Sequence, residues 1–297
     1  MTTAQDWINE VKRHLLSGER ENINRLASSP TSGATTVTYE FDQGGIMAGA
    51  TIEIDTELMY VWSVNTGTKV ATVQRGMFGS TAAAHTSGAL ITVNPRFPQF
   101  HIFNTLNQEL LDLSSPANGL YRVAVEEITS AAGITGYDLS LTDFISPIEV
   151  FFEASASEKW WKRSTNWRVQ ENADTTDFAS GRTLQVFDDT GAVGGSVRLT
   201  YRRAFDVLTG LSDDVNSVTG IPVEATDIPP LGAAGRLLLH RAARRTFDES
   251  QGEPRRAQEV EANAATNAAS ALLGFRQRRI NAEVARLNAL YPTRLVG

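Results

Sequence analysis

The chain has no cysteine among its 297 residues. That excludes a disulfide framework, thiolate zinc and iron–sulfur sites, and a cysteine nucleophile. It also has no apolar run approaching the ~18 residues that cross a bilayer, and no basic-then-apolar leader follows Met1, so a soluble chain without a signal peptide or membrane contact is expected. Catalytic signatures are missing as well: no GxSxG, GxxxxGK[ST], HExxH, strand-following GxGxxG or DxDxDG occurs. The paired acids Glu126-Glu127 and Asp213-Asp214 do not fill that gap. Neighbours on a strand point to opposite faces, and the second pair sits among Ser, Asp and Asn, so both read as solvated surface. The expectation is a chain with no catalytic residue, cofactor or metal, stabilised by packing, hydrogen bonds and neighbouring subunits.

With 41% hydrophobic and 21% charged residues, the chain suits one large domain or two to three small ones. Its net charge of −7 is unevenly spread. Residues 236–297 hold eleven arginines, no lysine and six acids, a local balance of +5 that leaves −12 for the first 235 residues. The arginines alternate with Glu259, Glu261 and Glu283 on a helical pattern, which favours a helix that meets acidic partners over a basic tail for nucleic acid.

Periodicity divides the chain. Thr3-Ala4-Gln5-Asp6 reads as a helix cap, followed by Trp7, Ile8, Val11 and Leu15 on one face, so residues 1–17 form an N-terminal helix. Residues 18–33 are polar and read as irregular at their C-terminal end. A small β-domain over 34–95 follows, with strands at 36–41, 50–54, 57–64, 70–74 and 90–93, a spacing that suits a small barrel or sandwich. Phe100, Phe103, Leu106, Leu110 and Leu113 then mark one face of a helix within 96–115. From 119 to 205 the period returns to two and predicts about seven strands of a β-sandwich, with a turn at 188–191. The last segment, 228–297, reads as arginine-rich helices, one over about 232–247 and one starting near Pro254. Residues 257–271 are alanine-rich and bury too little to hold themselves, so tertiary or subunit contacts are expected there.

The stretch 57–94 is the most informative. Asn65-Thr66-Gly67-Thr68 joins two alternating runs as a hairpin, with Gly67 taking the left-handed position. Arg75-Gly76, Gly79, a small-residue run over 80–84, His85 and Gly88 follow before the next strand. Glycines in such a loop serve positive φ. His85 invites a catalytic or metal reading, but no second His, no Cys and no paired carboxylate lies at ligand spacing, so it reads as a hydrogen-bonded structural residue. Trp160, Trp161 and Trp167 suggest an aromatic sugar platform, although alternation sends at least one of the adjacent pair inward and favours packing.

The order strand, RGxxGSTAAAHxxGA, strand resembles a segment of tailed-bacteriophage head and neck proteins. The phrase YDLSLTDFISPIEVFF resembles the turn into a sandwich strand in the connector family, here as Leu141-Thr142-Asp143-Phe144 without the usual proline, and the proline-led helix at 228–247 resembles the adaptor's helical bundle. The resemblance to head–tail connector (adaptor) proteins covers about half the chain. Many members are short helical bundles, so the sandwich reads as an elaboration. The resemblance implies an α+β virion protein, not an enzyme: connector helices, a small N-terminal β-barrel or hairpin domain, a β-sandwich insertion and long C-terminal helices. It implies a ring on the order of twelve copies, assembled in the host cytoplasm. That ring joins the portal protein to the next neck or tail protein, and DNA passes through it without sequence-specific binding. Arg236, Arg241, Arg244 and Arg245 are the candidate portal-docking residues, and Arg75, Gly76, Gly79, His85 and Gly88 form the structural loop. Two rival readings are a tail-tube, tail-terminator or baseplate component, and a carbohydrate-binding host-recognition module.

Overall fold

The computed structural model describes residues 2–16, 21–42, 44–130, 134–155, 160–187, 195–250 and 264–292. The predicted turn at 188–191 and the helix start at Pro254 lie outside them. The chain is mixed α+β with antiparallel sheets and divides into two compact units. The first is 1–110 with 207–279; the second, 111–206 with 280–297, interrupts it in sequence.

In the first unit, helix α1 (Ala4–Leu16) begins with the predicted cap: Thr3 N–H donates to Asp6 Oδ2 at 2.9 Å and Asp6 N–H donates to Thr3 Oγ1 at 3.2 Å. Its apolar face, Trp7, Ile8, Val11 and Leu15, is buried. Six strands follow: β1 (Asn22–Arg25), β2 (Thr36–Thr38), β3 (Thr51–Ile54), β4 (Glu57–Asn65), β5 (Val70–Gln74) and β6 (Leu90–Val93). They form one antiparallel sheet in the order β1-β6-β3-β4-β5-β2.

This sheet differs from the sequence reading in three respects. It is not closed into a barrel by a strand ladder; a single bridge, Leu26 to Tyr39, links the chain beyond the two edge strands. Residues from both edges, Leu26, Val37 and Tyr39, share one core with Ile52, Met59, Val61 and Ile91, so the sheet curls around it. Second, the sheet includes β1, within the polar segment 18–33 where the sequence pattern predicts no strand. Its Ile23 faces solvent while Asn24 is buried, reversing the apolar alternation. The Asn24 side chain substitutes for a backbone partner, donating to Phe41 O at 2.7 Å and accepting from Phe41 N–H at 3.0 Å. Third, the left-handed residue of the β4–β5 turn is Lys69 (φ 55°), not Gly67. Asn65 Oδ1 accepts from Thr68 N–H at 3.2 Å and sets the turn earlier.

Helix α2 (Gln99–Leu113) buries Ile102, Leu106, Leu110 and Leu113, with Phe100 and Phe103 only half-buried at its margin. Asp213 and Asp214, read as solvated surface, are half-exposed and have a structural role as well. Asp213 Oδ2 accepts from Thr209 and Gly210 N–H, and Asp214 caps the short helix α3 (Val215–Thr219) by accepting from Ser217 N–H at 2.9 Å. Helix α4 (Ile228–Ser250) packs on α1. Helix α5 (Ala264–Leu290) comes so close to α4 that a Cβ on Gly235 would meet Leu273 at 2.8 Å. Ala269 is fully buried. Within the described part of the alanine-rich segment, Ala269 thus packs within its own chain, while most of its neighbours are exposed.

Among its described residues the second unit has seven strands, β7 (Arg122–Thr129), β8 (Gly136–Asp138), β9 (Phe144–Ser155), β10 (Trp160–Arg163), β11 (Trp167–Glu171), β12 (Arg182–Val186) and β13 (Ser196–Arg203). They form a four-stranded sheet, β10-β9-β13-β7, and a three-stranded sheet, β11-β12-β8. Val150, Val197, Leu199 and Tyr201 of the first share a core with Tyr137, Leu184 and Val186 of the second. This is a two-sheet sandwich built by period-two burial.

Candidate functional site

The RGMFGSTAAAH loop leaves the end of β5 and is held by residues far from it in sequence. Asp55 (φ 53°) makes the tight turn between β3 and β4, and places its own side chain and that of Glu57 beneath the loop. Arg75 forms a bidentate pair with Glu57, Nε to Oε1 and Nη2 to Oε2, both at 2.7 Å. Its remaining donors go to the carbonyls of Thr31 (2.8 Å), Ala34 (3.2 Å) and Ala83. All five guanidinium N–H groups are thereby used. Glu57 also accepts from Gly76 N–H at 3.1 Å and Ala83 N–H at 3.0 Å.

His85 completes the cluster. Its Nε2 lies 2.9 Å from Glu57 Oε2 and its Nδ1 2.7 Å from Asp55 Oδ2. The side chains of His85 and Glu57 are 1% exposed, and that of Asp55 is 52% exposed. Burial alone would lower the His85 pKa, but hydrogen bonds and charge from Asp55 and Glu57 carry it up to about 9. Burial likewise opposes the Glu57 charge, and the bonds from Arg75, His85, Ala83 and Gly76 overcome it and hold the carboxyl at about 2. His85 is therefore an imidazolium with both N–H groups donated to carboxylates. In that state it has no lone pair for a metal or for general-base work near neutral pH.

The backbone of the loop is as specialised as its charges. Gly76, Gly79 and Gly88 take φ of 62°, 84° and 85°, and Phe78, at φ 55°, is a left-handed non-glycine residue. Ser80 Oγ accepts from Leu58 N–H at 3.0 Å and ties the loop back to β4. Arg75, Gly76 and His85 are thus brought together as one clasp, while Gly79 turns the loop and Gly88 donates its N–H to Leu26 O at 2.8 Å. The acidic half of the clasp, Asp55 and Glu57, is marked in the sequence by no more than two acids spaced by two at a strand turn.

Arg236 is elsewhere, on α4, with its Nε on Glu109 of α2. Arg276 Nε reaches the same carboxylate at 2.7 Å, and Glu109 is fully buried. A Cβ on Gly232 would fall on that carboxylate, so glycine makes room for it. The side chains of Arg241, Arg244 and Arg245 lie outside the described residues. The three tryptophans do not form one platform: Trp167 packs against the sandwich core, Arg198 stacks 3.8 Å over Trp161, and Trp160 alone is open at 58% exposure.

Among the described residues no cluster of three His, Cys, Asp or Glu side chains could hold a metal, and no helix is long and apolar enough to cross a membrane. No protein-family model matches the chain, and no curated protein matches it.

Proposed function

We propose that the chain is a structural virion protein, a head-to-tail connector subunit that forms a ring between the portal and the neck or tail around the DNA channel, and is not an enzyme. One observation carries this reading. In the loop that resembles phage head and neck proteins, the reactive groups are spent on architecture: every Arg75 donor and both His85 nitrogens are bound within the fold. A loop so committed positions a surface and leaves its groups unavailable for chemistry. The excess acid outside the arginine-rich helices suits a wall along which DNA slides. Arg241, Arg244 and Arg245 remain the portal-docking residues of this reading, with Arg236 acting from its bond to Glu109.

The test is to image the purified full chain alone and mixed with a portal protein from the same virus, and to look for the chain in purified virions by mass spectrometry. Rings on the order of twelve copies seated on the portal are expected. A chain that is absent from virions and stays monomeric with portal present sinks the reading.

A further inference from the structure

At the seam of the six-stranded sheet, Ile23 of β1 and Phe41 beyond β2 wall a notch of about 390 Å3, completed by Glu40, Asp42 and Lys69. Ile23 is 51% and Phe41 47% exposed. Lys69 is occupied by Asp42 at 3.4 Å and by the Glu40 carbonyl at 3.0 Å, so two carboxylates and one ammonium leave the rim acidic. The notch is preformed. Asn24 grips the Phe41 backbone through both of its amide atoms, and Gly44 sits where any Cβ would strike the Asn24 side chain.

The same compact unit carries a shape of opposite character. On α5, Phe275 is 57% exposed, with the Arg278 guanidinium 4.5 Å from its ring centroid. Gly274 beside it has open space where a side chain would be. An apolar ring with a cation above it matches a notch in which two apolar side chains meet an acidic rim, and repeats locally the chain's division into an arginine-rich end and an acidic remainder.

We infer that the Phe275–Arg278 corner of one copy seats in the Ile23–Phe41 notch of the next copy, with Arg278 meeting Glu40 and Asp42. Knob and notch are different surfaces, so the contact is head-to-tail and repeats from copy to copy, as a ring requires. The inference rests on the ring proposed above and names the contact that closes it.

Two experiments on the full chain test it. Glu40→Arg and Arg278→Glu, both on exposed side chains, should each weaken ring assembly roughly tenfold in sedimentation, and the double swap should restore it to within about threefold. Because the chain has no cysteine, a Phe41→Cys/Phe275→Cys variant treated with a short bis-maleimide should give a ladder of covalent oligomers. Each single variant should give at most dimers. Rings that assemble normally in both charge variants and yield no ladder overturn the contact and leave the ring standing. Phe275→Cys alone cross-linking as efficiently as the pair would mean a two-fold contact and also overturns it. A wild-type chain that stays monomeric with portal, together with a double-cysteine variant that gives no ladder, removes both readings.

Discussion

Glu53 on β3 accepts the backbone N–H of Phe100 at 3.0 Å, so a buried carboxyl closes the first turn of α2. Burial drives its pKa up to about 7, against the opposing pull of the Gln99 and Phe100 amides. Its second oxygen is buried without a hydrogen-bond donor, and Lys12 nearby is paired with Glu21 at 3.0 Å. The neutral acid is the form this site prefers.

Stability should therefore fall with rising pH across this range. A carboxyl raised from 4.5 to about 7 contributes fully below pH 4.5 and loses its contribution as pH climbs through 7. The loss is on the order of 3 kcal/mol. Glu53→Gln should flatten that limb in denaturant titrations stepped from pH 4.5 to 7.5; a variant profile parallel to the wild type contradicts the assignment.

His85 sets a second limb. Raised from 6.5 to about 9, it contributes fully below pH 6.5 and its contribution is lost as pH rises through 9, whereas Glu57, held near 2, loses its contribution only as pH falls from 4.5 through 2. His85→Gln leaves two carboxylates short of a cation and should destabilise the first unit by about 2–4 kcal/mol at pH 6. The effect should shrink above pH 9. A pH-independent loss would indicate a packing role instead.

The loop backbone makes two substitutions act in opposite directions. Gly76→Val forces a branched side chain into φ 62°, with a Cβ 3.2 Å from Ser80 O, and should cost more than about 2 kcal/mol. Phe78→Gly relieves a left-handed, 62% exposed residue and should raise the melting temperature, by about 1 kcal/mol of stability. Equal destabilisation by both would show that Phe78 packs rather than strains.

Helix α5 should be folded before any assembly. Ala269 is fully buried and Leu273 packs where Gly235 opens α4, so amides around 266–273 should exchange slowly in a dilute, demonstrably monomeric sample. Fast exchange there, slowed only on assembly, would mean that the α4–α5 contact forms with the ring.

Local patterns in the sequence carry much of this structure because they act over a few residues. The Thr3–Asp6 cap, the seven alternating strands of the sandwich and the Leu106–Leu110–Leu113 line of α2 are read from spacing alone, since helix and strand periods decide which side chains are buried. The glycines of the RGMFGSTAAAH loop belong there too: positive φ is a property of single residues. Tertiary structure decided whatever depended on partners distant in sequence. Asp55 and Glu57 become the counter-charges of Arg75 and His85 only when the β3–β4 turn is laid beneath the loop. Asn24 becomes a core residue only when Phe41 offers its backbone, and Glu109 is tolerable inside α2 only because Arg236 and Arg276 arrive from more than a hundred residues away. A buried polar group is costly without its partner, and no spacing rule names that partner in advance.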